Sequence, residues 1–323
     1  MFNCLARAKL VLYLKLHKAK ALNERKNTAN RHQWNVKKNE YLCRMRMAFE
    51  KTWNRCKETV KFIGWGLAVI LVCFLLCKVC MNRATTHHLV PLSAEKCDSL
   101  MAVKVPQNLS DTLLKYQAFI VHFNTERGIA NCAAYELNVA GLKGDVARAN
   151  IFMPDTGVRG CPSPGDYAGS GMERGHLVPA GDMKWNAEAM RQSFLLTNVC
   201  PMHKALNEGG WAKLEEKVRE WTRRDSTLLV FTGPVVSDGD STLTNSKVTV
   251  PGSFYKVVLA PCVQPARAIA FIYPNGYSGG RLQQYTVSVD EVERRTGLDF
   301  FPTLPDDEQQ RLESPVCLDA WLN

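Results

Sequence analysis

An acid, a forked cation, a glycine and an imidazole stand in a row at Glu173-Arg174-Gly175-His176, inside GMERGHLVPAGDM (residues 171–183). A histidine side chain titrates near pH 6.5 and can take a proton near neutrality. The planar guanidinium of Arg174 fits phosphate oxygens. Gly175 removes bulk where a phosphate could approach the backbone. These are parts for phosphodiester cleavage. That reaction needs a base for water, a divalent cation on the phosphate, and positive charge where the transition state gathers negative charge. Taken alone, His176 can equally be a residue that caps, packs or sits in water.

A hard cation such as Mg²⁺ wants oxygen ligands and keeps several waters. LTNVCPMHKALNEGGWAKLEEKVREW (residues 196–221) offers Asn198, Asn207 and Glu215. Trp211, Leu214, Val218 and Trp221 recur at helical spacing, which predicts a helix from near Asn207 to about Arg223. At about 100° per residue, Asn207, Glu215 and Arg219 fall near 0°, 80° and 120°, along one edge of that helix. The plainer alternatives are a surface ion pair between Glu215 and Arg219 and an N-cap role for Asn207.

Other elements must carry these groups. AFIVHF (118–123) and CAAYELNV (132–139) read as strands joined through Arg127-Gly128. Residues 154–171 are rich in proline and glycine and read as a long irregular loop. Residues 227–236, 254–260 and 268–274 are β-branched and aromatic and read as strands. Residues 290–298 read as a helix closed by Gly297. Strands and helices without regular alternation predict an α+β domain over 106–323, reached through a linker at 82–105.

The order and spacing of these residues resemble a known family. Arg174-Gly175-His176, then Asn198 and Pro201, then Asn207-x-x-x-Trp211-x-x-Leu214-Glu215 with Arg219 look like the DNA/RNA non-specific endonucleases. That ββα-metal group includes endonuclease G-like members. The resemblance runs from about Ala118 to Leu304. It takes in Tyr135, Arg148-Ala149-Asn150-x-Phe152-x-x-Asp155, a turn at Phe231-Thr232-Gly233-Pro234, Phe254-Tyr255-Lys256, and Val287-Ser288-Val289-Asp290 with Thr296-Gly297-Leu298. The family usually has Asp where this chain has Glu173, and often Gln where it has Met202.

The resemblance implies a ββα-metal fold with a mixed or antiparallel sheet. It implies His176 as general base and Asn207 as the side chain on Mg²⁺, for which Mn²⁺ can substitute. Glu215 would hold metal-bound waters. Arg148, Arg174 and Arg219 would meet the phosphate, and Asn198 would shape the site as a hydrogen-bond partner. The implied reaction is sugar-non-specific endonucleolytic cleavage of DNA and RNA, leaving 5′-phosphate ends. Homodimerisation is common in the family. A catalytically silent nucleic-acid-binding or scaffold protein, and a 5′-exonuclease variant, are the alternatives.

Charge is distributed unevenly over the 323 residues, whose formal net charge is +10. Residues 1–61 form a basic tail with 16 Lys and Arg against four acids, leaving the remainder of the chain slightly acidic. Total charge is therefore no argument for a nucleic-acid surface on the domain. FIGWGLAVILVCFLLCKVCM (62–81) is long and apolar enough to predict a transmembrane helix. The tail then stays in the cytosol or matrix and the domain crosses. With the resemblance, this predicts a mitochondrial inner-membrane protein facing the intermembrane space. The sequon Asn108-Leu109-Ser110 keeps a secretory-pathway membrane open as the alternative. The twelve cysteines show no zinc-site spacing and leave disulfide pairing unassigned.

Overall fold

The structure, a computed structural model, describes Glu50, Leu89 and residues 93–322. The tail apart from Glu50, the expected span at 62–81 and most of 82–92 lie outside the described residues. Among the described residues no helix is long and apolar enough to cross a membrane.

Helix α1 (Ala94–Leu100) and strand β1 (Val103–Lys104) come first. Both fall within the segment expected to be a linker. They are ordered because Cys97, Leu100 and Val103 are buried apolar side chains, and Ser93 accepts from the Lys96 N–H as an N-cap. Strands β2 (Thr112–Lys115), β3 (Phe119–Asn124) and β4 (Ile129–Asn138) follow. A two-stranded hairpin, β5 (Glu173–His176) and β6 (Val199–Met202), encloses helix α2 (Ala187–Ser193). A π-helical turn (Leu206–Trp211) leads into helix α3 (Ala212–Asp225). Then come β7 (Thr227–Val235), β8 (Ser253–Ala260), β9 (Arg267–Pro274), β10 (Thr286–Val287), α4 (Val289–Thr296), β11 (Asp299–Phe300), α5 (Asp306–Glu313) and α6 (Asp319–Leu322).

The central sheet has seven strands in the order β10-β9-β8-β7-β4-β3-β2, and every neighbouring pair is antiparallel. Strands β1 and β11 pair separately. Alternation along the central strands sorts side chains onto two faces. Leu228 and Val230 of β7, with Phe254 and Val258 of β8, face the core that holds Leu214, Val218 and Trp221 of α3. Leu229 and Phe231, with Tyr255 and Val257, face a second core under α1 and α4. Both faces are covered, so these strands read as nearly continuous apolar runs. The domain is α+β with an antiparallel sheet.

Two local readings need correction. Phe231-Thr232-Gly233-Pro234 is part of β7, not a turn. Pairing of β7 with β4 stops at Thr232, and Pro234 lies beyond it, where its missing N–H costs no bond to β4. The helix expected from Asn207 begins with the π-helical turn, because Gly209 takes non-helical angles (φ −105°, ψ −108°). At the C-terminal helix the expectation holds. Gly297 caps α4 at φ 74°, with its N–H on the Glu293 carbonyl at 2.7 Å.

Candidate active site

Antiparallel register places Glu173 opposite Met202, Arg174 opposite Pro201, Gly175 opposite Cys200 and His176 opposite Val199. The chain then enters the π-helical turn and α3, so two strands and a helix wrap one cavity. A Cβ on Gly175 would lie 2.6 Å from the Met202 Cβ. The glycine therefore makes room for Met202 inside the hairpin, not for phosphate as its position in the sequence suggested.

The cavity encloses about 730 Å³ and is lined by Arg148, Glu173, Arg174, His176, Asn207, Glu208, Glu215 and Arg219, with Phe152 and Tyr167 as apolar walls. Six of the seven residues singled out from sequence line it. Asn198 does not. It is fully buried and accepts from the Val178 N–H at 2.9 Å while donating to the carbonyls of Val178 at 3.0 Å and Ser193 at 2.9 Å. All its polar capacity is spent holding the chain where it leaves His176.

His176 sits among rings, with centroids 4.7 Å from Phe194 and 5.1 Å from Phe152. Its Nε2 is buried and has no hydrogen-bond partner. Burial, then the nearby Arg148 charge, push the imidazole down to about 3. At neutral pH it is uncharged and holds a free lone pair. Arg148 lies over the Phe194 ring at 5.0 Å, and Arg174 over Phe152 at 5.4 Å. Arg174 Nη2 donates to the Pro164 carbonyl at 3.1 Å, while its buried Nε has no partner.

Asn207 donates through Nδ2 to Glu173 Oε2 at 2.8 Å. That bond fixes the amide orientation and leaves Oδ1 as an acceptor with no donor among the described residues. The half-buried Glu215 carboxylate likewise has no hydrogen-bond partner there. Burial raises its pKa and Lys256 opposes the rise. An amide oxygen beside the carboxylates of Glu173, Glu208 and Glu215 is a hard-oxygen donor set. It fits a divalent cation that keeps several waters.

Sequence spacing suggested a Glu215–Arg219 pair. Instead, Arg219 donates to Asp182 at 2.8 Å and to Glu216 at 2.9 Å. Asp182 is 1% exposed and also accepts from Tyr135 Oη at 2.8 Å. No local spacing announces its role, because its partners lie 37 and 47 residues away in the chain. Lys256 is fully buried, 3.3 Å from Thr232 Oγ1 and 4.5 Å from the Trp211 ring centroid. A buried lysine needs a negative partner nearby, and the carboxylates of Glu215 and Asp182 act on it.

The family model for DNA/RNA non-specific endonucleases matches residues 98–307. Mitochondrial nuclease EXOG of Danio rerio is 33% identical over 223 residues, covering 64% of this chain and 64% of its own. EXOG of Mus musculus is 36% identical over 180 residues, covering 50% and 49%. Mitochondrial endonuclease G of Bos taurus is 31% identical over 185 residues, covering 52% and 62%. The match spans less than two thirds of the length of each of these relatives. A solved EndoG/EndoGI complex aligns with a TM-score of 0.58 at 23% identity, covering 62% of this chain and 89% of that chain. That last likeness is one of fold.

Proposed function

Because the chain belongs to the DNA/RNA non-specific endonuclease family, we propose that it is a membrane-anchored, metal-dependent nuclease that cuts DNA and RNA internally. The observation that carries this reading is the meeting in one cavity of the unpartnered His176 imidazole, the Asn207 amide oxygen turned away from Glu173, and the Glu215 carboxylate.

In this reading His176 takes a proton from water, whose oxygen attacks the phosphorus. The bond from phosphorus to the 3′ oxygen breaks, that oxygen takes a proton from water to become a hydroxyl, and the phosphate stays on the 5′ end. The incoming phosphodiester brings negative charge beside the imidazole, which favours its protonated form as the proton arrives. Arg148 and Arg174 meet the non-bridging oxygens. Arg219, held by Asp182 and Glu216, adds a fixed positive field. Asn207 Oδ1 would hold a divalent cation, with Glu215 binding the waters around it, and Mg²⁺ or Mn²⁺ is the fitting ion. When bound, that cation supplies charge neutralisation at the phosphate and at the leaving oxygen. Asn198 is a positioning residue that fixes the strand exit after His176.

Contacts of this kind read backbone rather than base edges, so cleavage has little sequence preference. The anchor is residues 62–81. The relatives named mitochondrial, together with the basic tail, support the inner mitochondrial membrane with the domain in the intermembrane space. Protease protection in isolated mitochondria tests that placement. A glycosidase-sensitive mobility shift depending on Asn108 would replace it with the secretory pathway. Sedimentation in detergent tests homodimerisation.

The activity test is nicking of a circular plasmid, with structured RNA in parallel. Nicking that needs Mg²⁺, stops with chelator and is lost in His176→Ala supports the endonuclease. If wild type and His176→Ala are equally inert, the fold serves binding alone. Attack on linear DNA only would make it an exonuclease.

A further inference from the structure

The face of the sheet away from the cavity carries a second cluster of oxygen donors. Asp290 lies in the first turn of α4, Glu293 one turn later, and Glu313 ends α5. One carboxylate oxygen from each lies within 4.8 Å of the others. Two oxygens bound at about 2.4 Å to one Ca²⁺ are separated by at most about 4.8 Å, so the three can share an ion.

Glu313 is the decisive member. It is 6% exposed, its Oε1 is fully buried, and that oxygen has no hydrogen-bond partner. A buried carboxylate without a partner is costly. Its surroundings add to the cost: Asp290, Glu293 and Asp299 all act on it with the same sign of charge. The nearby basic residues are engaged elsewhere. Arg294 and Arg295 bond Glu291, Arg311 bonds Glu308, and Lys104 reaches Asp299 at 3.7 Å. Among the described residues no Lys or Arg pairs with Asp290, Glu293 or Glu313. The cluster is meanwhile held in shape. Ser314 Oγ donates to Asp290 Oδ2 at 2.8 Å, and the Phe300 N–H donates to Glu293 Oε1 at 2.7 Å. Each still leaves a carboxylate oxygen available.

We propose that Asp290, Glu293 and Glu313 form a structural divalent-cation site, of Ca²⁺ type, that ties helix α4 to the end of helix α5. Three carboxylates suit Ca²⁺, which accepts six to eight oxygens in flexible geometry. Mg²⁺ keeps its waters and takes one or two carboxylates. The ion cancels most of the local negative charge and satisfies the buried Glu313 oxygen.

The test uses the full chain in mild detergent, stripped with chelator, in an Asn207→Ala background that removes the amide ligand of the active-site cavity. CaCl₂ alone is the probe, read by equilibrium dialysis and thermal melting at pH 7.5. One Ca²⁺ per chain is expected, with a melting temperature that rises with Ca²⁺. Glu313→Gln should weaken binding at least tenfold and abolish the melting shift. Asp290→Asn, at an exposed position, should do the same and serves where Glu313→Gln fails to fold. The proposal is overturned if the Asn207→Ala protein binds no Ca²⁺. It is equally overturned if binding persists unchanged in a folded Glu313→Gln or Asp290→Asn variant.

Discussion

The desolvated imidazole makes a prediction about folding that needs no substrate. The folded protein resists protonating His176 until about pH 3, whereas the ordinary value is 6.5. As pH falls below 6.5, the unfolded chain takes up a proton that the folded chain refuses. Stability from this group is complete above 6.5 and is lost as pH falls through 3. Between pH 7 and pH 5 the loss from this residue alone is at most about 2 kcal/mol. His176→Gln removes the titration while keeping a neutral polar side chain. Urea unfolding of both proteins at pH 7 and pH 5, with chelator present, should show a smaller drop for the variant by roughly that amount. Equal drops would mean that the folded imidazole takes its proton as readily as the unfolded one. The picture of a ring stripped of water by Phe152, Phe194 and the strand would then be wrong.

Three substitutions probe how the cavity is held. Gly175→Ala puts a Cβ 2.6 Å from that of Met202 and should cost about 1–3 kcal/mol in chemical denaturation, with activity falling as β5 shifts. Glu173→Ala frees the Asn207 amide to rotate and should raise the Mg²⁺ concentration for half-maximal nicking about tenfold or more, as loss of an orienting partner does at other metal sites. Arg219→Ala strands the buried Asp182 carboxylate and should cost roughly 3–5 kcal/mol, with Asp182→Asn in the same chain recovering part of it.

Much of this architecture is legible in the residues because it rests on local pattern. The apolar run of 118–123 and the β-branched runs of 227–236 and 254–260 mark strands. The spacing of Trp211, Leu214, Val218 and Trp221 marks α3. Gly297 marks a helix end because only a left-handed residue closes it there. What stays hidden depends on contacts between distant segments. Asp182 meets Arg219 and Tyr135 only after the hairpin and α3 pack together. No spacing rule announces that Gly175 must accommodate Met202. The π-helical turn at Leu206–Trp211 breaks the simple 100° count, yet Asn207, Glu215 and Arg219 still reach one cavity. The strand Thr227–Val235 swallows a Gly-Pro pair that reads as a turn, because its pairing with β4 has already stopped at Thr232.

The most direct test of the central claim is an experimental structure of the His176→Ala protein soaked with Mg²⁺ and a short DNA duplex. The account predicts one cation on Asn207 Oδ1, waters on Glu215, and a scissile phosphate between that cation and the space vacated by the imidazole. A cation bound away from Asn207, or a phosphate far from position 176, would contradict it.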